Sequence, residues 1–257
     1  MNIVTAPLQP INNGSARARR LPHGPGKTPA NGAAFLVFLA ASAAVAVGLA
    51  APARGQGAPP DAAVILAEIQ ARYGAITALR ARFEQRYVHR LHAREDRWRG
   101  RIAIRRPARV RIDYDEPRGR TVVSDGATLI AFDPSPSPGV WWEQPVDADA
   151  LPIALGLLDG SASIEAQMDA RTLDASATGF VGTVVELRPR VATPAIDRVL
   201  LYVDRDAARR GRVHRMMIVD PAGNTNRFDL LDQREGGAVP PDLFSWRPPA
   251  AARRVEP

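Results

Sequence analysis

In three stretches between residues 81 and 114 mostly apolar residues alternate with charged ones. Phe83, Gln85 and Tyr87 interleave with Glu84 and Arg86. Trp98, Gly100, Ile102 and Ile104 interleave with Arg97, Arg99, Arg101 and Arg105, and Val110, Ile112 and Tyr114 with Arg109, Arg111 and Asp113. Successive strand side chains point to opposite faces, so this period of two predicts antiparallel sheet with one apolar and one wet face. Pro107 and Pro117 punctuate the run. Ser124-Asp125-Gly126, between Thr121-Val122-Val123 and Leu129-Ile130-Ala131-Phe132, reads as a tight hairpin.

The same logic places further strands at 140–143, 166–173, 180–188, 196–204, 212–220 and 224–232, with Pro221-Ala222-Gly223-Asn224 turning the last hairpin. Asp61 is placed to cap a helix over 62–73, its apolar face made by Ile65, Ile69 and Val64, and Gly74 is placed to break it. Residues 151–158 form a second helical candidate, apolar almost all round. The expected fold is mainly β: an incomplete, half-open antiparallel barrel with short helices on its concave side.

The segment before this domain has a different character. Residues 1–58 carry five basic residues and no acid, and 33–53 hold no charge at all, ending in Ala51-Pro52-Ala53. Basic, apolar and small-residue regions in that order are the layout of a secretory signal peptide, so residues 1–58 read as leader and linker and 59–257 as one exported domain. The apolar run is long enough that an uncleaved membrane anchor is the alternative. Gly24-Pro25-Gly26-Lys27-Thr28 looks like the end of a phosphate-binding loop, but Leu21 stands where the motif needs glycine, and no strand precedes it.

Reactive groups are scarce. The chain has no Cys, which removes thiolate chemistry, disulfides and lipid attachment to an N-terminal cysteine. His89 and His92 lie three apart and would point to opposite faces of a strand, beside Arg86, Arg90 and Arg94, so they read as a solvated edge and not a metal site. Ser124 lacks a nucleophile elbow. No catalytic residue, metal or cofactor is expected. Residues 80–120 hold fourteen Arg against six acids, yet the aromatics Trp98 and Tyr114 fall opposite the arginines, so a base could not stack while its phosphate was neutralised. Nucleic acid is therefore not the expected partner. A solvated outer face is the simpler reading, and such a face could also dock an acidic partner or anionic headgroups.

Residues 83–133 resemble the LolA family of periplasmic lipoprotein carriers. The resemblance rests on Phe83-Glu84-Gln85, Gly100, Arg105-Arg106-Pro107, Arg109-Val110-Arg111-Ile112-Asp113-Tyr114, Pro117, and Val122-Val123-Ser124-Asp125-Gly126 followed by Leu129. Leu151-Pro152 to Leu158 is similar to the family's apolar helix, and Phe244 to Pro249 to its closing F-x-x-x-P-P. The chain departs from the family at Val110, Ile112, Ile130 and Phe132, where larger or other aromatics are usual.

The resemblance implies a half-barrel lidded by helices that holds the acyl chains of a lipoprotein between an inner-membrane exporter (LolCDE-like) and an outer-membrane acceptor (LolB-like). The protein would work in the periplasm as a monomer. The apolar cavity would be lined by Phe83, Ile102, Ile104, Val110, Ile112, Tyr114, Leu129 and Phe132, and Arg106 matches the family's lid latch. A regulatory sensor of the RseB type, binding lipid or misfolded protein on the same fold, is the alternative; an enzyme on this scaffold would need a constellation that the sequence lacks.

Overall fold

The computed structural model describes residues 60–146, 164–174 and 178–256. The apolar run at 33–53 and the helical candidate at 151–158 lie outside them.

Helix α1 (Ala62–Ala75) is capped by Asp61, whose carboxylate accepts from the Ala63 N–H. Six strands follow: β1 (Ala78–His89), β2 (Arg94–Arg105), β3 (Arg109–Tyr114), β4 (Thr121–Asp125), β5 (Thr128–Asp133) and β6 (Val140–Pro145). After one helical turn at Ile164–Gln167 come β7 (Met168–Leu173), β8 (Thr183–Pro189), β9 (Arg198–Val203), β10 (Val213–Val219) and β11 (Thr225–Glu235). A 3-10 turn at Pro241–Phe244 and the two-residue β12 (Arg253–Arg254) end the described chain.

All twelve strands form one sheet in the order β12-β6-β5-β4-β3-β2-β1-β11-β10-β9-β8-β7, antiparallel throughout except for β12 on β6. Its terminal strands, β12 and β7, do not meet, so the sheet is open, as expected. It is also wrapped. Laid flat, twelve strands would span about 50 Å, whereas a helix of this length reaches about 21 Å. Yet Trp142 of β6, Met168 of β7 and Leu187 of β8 share one core with Ile65, Leu66 and Ile69 of α1.

The helix departs from its expected bounds in two respects. It runs through Gly74 to Ala75, because an exposed glycine costs a helix only about 1 kcal/mol and does not break it. Its buried face is Ala62, Ile65, Leu66, Ile69 and Tyr73, while Val64 is 52 % exposed: residues 62, 65, 66, 69 and 73 follow the three-and-four spacing that Val64 misses.

The outer face is crossed by the C-terminal segment. Val239 and Phe244 bury themselves against Ala78 of β1 in a small second core, and Trp246 packs on Phe132 at 5.7 Å between ring centroids. Beyond it, β12 lies along β6, where the Arg254 guanidinium sits over Trp141 and pairs with Glu143.

Candidate functional site: the inner face and its helix

The inner face is built in rows, because residues paired across an antiparallel sheet share a side. Leu79, Ile104, Val110, Ser124 and Leu129 are successive partners from β1 to β5. Ala81, Ile102, Ile112, Val122, Ala131 and Trp142 form the next row, from β1 to β6. Phe83, Gly100 and Tyr114 form a third. Gly100 is required there. A Cβ at this position would collide with the backbone carbonyl of Asp113 and press on the Phe83 ring, which lies over the glycine and meets Tyr114 edge to face at 5.3 Å.

Of the eight residues expected to line a cavity, Phe83, Ile102, Ile104, Val110, Ile112 and Leu129 therefore come together, none more than 6 % exposed, and Tyr114 packs against them. Phe132 does not. It is three residues from Leu129 on one strand and so points to the opposite face, where it meets Trp246.

Helix α1 fills the space over these rows. Its N-terminal end touches β7, where the Thr172 hydroxyl donates to the Pro60 carbonyl. Its middle abuts the β9–β10 turn, where Gly211 (φ +76) lets the chain approach so closely that a Cβ would lie 2.5 Å from the Glu68 carbonyl oxygen. Glu68 also pairs with Arg205 at 2.9 Å.

The C-terminal end is the more firmly tied. Arg72 makes a two-pronged bond to Glu235, both contacts 2.8 Å, and donates to the Arg210 carbonyl. The fully buried Tyr73 hydroxyl accepts from the Val213 N–H at 3.0 Å and faces Gln233, and burial drives its pKa upward. Arg106, from the β2–β3 turn, donates to the carbonyls of Tyr73 and Gly74 at 3.2 and 2.8 Å. These carbonyls belong to the last turn of α1, where a helix has no N–H left to donate to its C=O groups and a cation is favoured.

Polar groups gather at the other end of the inner rows. Gln85 bonds both Asn226 and Tyr114, at 3.0 and 3.1 Å. A buried Arg120–Asp133 pair lies beside them, with the guanidinium over the rings of Tyr114 and Trp98. Inner-face aromatics thus do meet one arginine. Its place follows from register, since the pairing of Thr121 with Phe132 sets Arg120 beside Asp133. His89 is also less solvated than expected: only 9 % exposed, it bonds Asp96 at 3.0 Å, while His92 stands in the turn beyond β1. Among the described residues no group of three or more acidic, His or Cys side chains is placed to hold a metal.

Most outer-face arginines are answered by acids. Glu95 bridges Arg86 and Arg97, and Asp229 bridges Arg215 and Arg227. Burial of Glu186 would raise its pKa, but Arg171 and Arg188 more than offset that and hold it below the usual carboxylate range.

A family model described as outer membrane lipoprotein carrier protein LolA matches residues 75–247, which hold the sheet rows and Arg106. The chain belongs to the LolA family. An outer-membrane lipoprotein carrier protein of Chromobacterium violaceum is 28% identical over 208 residues, 81% of this chain and 91% of that one. Among solved structures, a LolA superfamily protein from Nitrosomonas europaea aligns at 16% identity and TM-score 0.41, covering 72% of this chain and 97% of its own. An uncharacterised conserved protein from Thermus thermophilus aligns at 15% and 0.46, covering 76% and 99%. The apolar inner face, with α1 lying on it, is the candidate site. The Asp61-capped helix with Ile65 and Ile69 on its apolar face, expected on the concave side of the sheet, is α1; the second expected helix, 151–158, lies outside the described residues.

Proposed function

We propose that this protein is a periplasmic carrier that shelters lipoprotein acyl chains on the inner face of its sheet, receiving them from a LolCDE-like exporter and delivering them to a LolB-like acceptor. The observation that carries the reading is that α1 lies on the inner rows through apolar side chains, while the polar bonds that hold it are concentrated toward its C-terminal end. Each acyl CH₂ kept from water is worth about 0.8 kcal/mol, so a released lipoprotein needs a shelter of this kind. Ile65, Leu66 and Ile69 cover the inner face, and incoming chains would replace their contacts like for like.

Arg106 is the latch of this cycle. A hydrogen bond to a charged group contributes about 1.5–3 kcal/mol, enough for two such bonds to favour the closed empty state while still yielding to several acyl chains. Arg106→Leu should keep the fold and still load acylated lipoprotein from a donor membrane. It should deliver to an acceptor membrane at least tenfold more slowly, since 1.4 kcal/mol is a factor of ten and each lost bond contributes at least about that. Loading and transfer are measured in parallel. Failure of the wild type to load acylated lipoprotein would refute the carrier reading; equal transfer by variant and wild type would reduce Arg106 to a helix cap.

A further inference from the structure

An open groove of about 850 Å³ lies on the outer face, remote from α1 in that the sheet itself separates them. Its floor is the outward side of β11, β1, β2 and β3, and its wall is the C-terminal segment with Pro240 and Leu243. That wall is held in place by the sheet's own arginines: Arg105 donates to the Val239 carbonyl and Arg111 to that of Leu243.

The charge in this groove differs from the rest of the face. Arg80 stands directly opposite Arg234, and Arg82 directly opposite Arg101 in the neighbouring row. Like charges directly opposed across a sheet are destabilising. Elsewhere opposed arginines have acceptors: Arg86 is likewise opposed by Arg97, and Glu95 bonds both, while the opposed Arg105 and Arg109 each donate to a backbone carbonyl. In the groove Arg82 is answered by the exposed Asp232 and Arg111 by Asp113, and Asp242 also stands at the wall, which leaves five arginines against three acids. Arg80, Arg101 and Arg234 are exposed and make no side-chain hydrogen bond or ion pair among the described residues.

We propose that this groove docks an extended acidic segment of a partner protein. The spacing selects the occupant. Consecutive rows on one face of a strand are about 7 Å apart, the separation of carboxylates at alternate positions of an extended peptide, so one segment running along the strands meets the Arg80–Arg234 row and the Arg82–Arg101 row together. A lone phosphate would satisfy one row. Guanidinium forks match carboxylates two-pronged, and Ala103, Pro240 and Leu243 offer an apolar contact to an intervening side chain. The groove is distinct from the inner face, so the proposal stands or falls separately from the carrier reading.

The test uses the exported chain and a fluorescein-labelled peptide with glutamate at alternate positions and leucine between, read by anisotropy. The wild type should bind, and affinity should fall several-fold between about 20 mM and about 150 mM NaCl, as the charges are screened. The double variant Arg101→Gln/Arg234→Gln should bind at least tenfold more weakly, with a melting temperature equal to or above wild type because opposed charges are removed. Arg118→Gln, exposed and outside the groove, should bind as wild type. Absence of binding, binding insensitive to salt, or equal binding by the double variant would overturn the proposal. So would arginine-dependent sedimentation on phosphatidylglycerol vesicles without peptide binding, which would assign the surface to a membrane.

Discussion

Ile112→Glu should cost the fold about 4 kcal/mol at pH 7 and abolish acyl loading. Ile112 sits in the middle row of the inner face, only 3 % exposed, between Ile102 and Val122. The row it belongs to, Ala81, Ile102, Val122, Ala131 and Trp142, offers it no cation, and Arg120 at the end of the inner face is already paired with Asp133. A carboxyl buried without a partner has its pKa raised by some 3–5 units, to above pH 7, so at pH 7 the variant folds only by taking up a proton, at about 1.36 kcal/mol for each unit between that pH and the unfolded value of about 4.3. Against a typical domain stability of about 5–15 kcal/mol, such a loss leaves a marginal fold or none. The pH dependence has a definite sign. The introduced group titrates near 4.3 when unfolded and higher when folded, so its penalty is absent below about pH 4 and grows as pH rises to the folded value. Urea unfolding of variant and wild type at several pH values should therefore show a gap that widens from acid to neutral. A constant gap, or a variant as stable as wild type at pH 7 that still loads acyl chains, would show that Ile112 does not face the core.

Gly100→Ala should destabilise by about 1–3 kcal/mol, the range for forcing a methyl into a filled space. The sign makes this informative. A glycine within a strand is ordinarily the weaker choice, by roughly 0.5–1 kcal/mol relative to alanine, so backbone propensity alone predicts a gain. Here the added Cβ would meet the Asp113 carbonyl on the paired strand and the Phe83 ring above, neither of which can withdraw without moving β3 or breaking the Phe83–Tyr114 contact. A calorimetric melting temperature that rises on substitution would mean that β2 and β3 are farther apart at this point than the structure has them.

Period-two alternation was enough to assign faces on β1 to β3, because most outward positions there are charged while Phe83, Ile102, Ile104, Val110 and Ile112 mark the inward ones. It failed where parity was not applied along a single strand: Leu129 and Phe132, an odd number apart, cannot both face inward. The helix end at Gly74 was misjudged for a different reason. What sustains the last turn of α1 is Arg106, thirty-odd residues away in sequence, and no local signal carries that contact. Arg120 and Asp133 likewise needed the β4–β5 register before their pairing could be seen. The basic groove depends on where the C-terminal segment crosses the sheet, a placement set by burial of Val239 and Phe244 against Ala78 and not by any strand pattern.

The carrier account is tested most directly by native mass spectrometry of the protein recovered from the periplasmic fraction of cells making acylated lipoproteins. It predicts a one-to-one complex whose added mass is that of an acylated lipoprotein, and loss of that complex when acylation is blocked. Recovery of the bare protein alone, or of complexes with polypeptides regardless of acylation, would contradict it; the latter is what a sensor of misfolded protein would give.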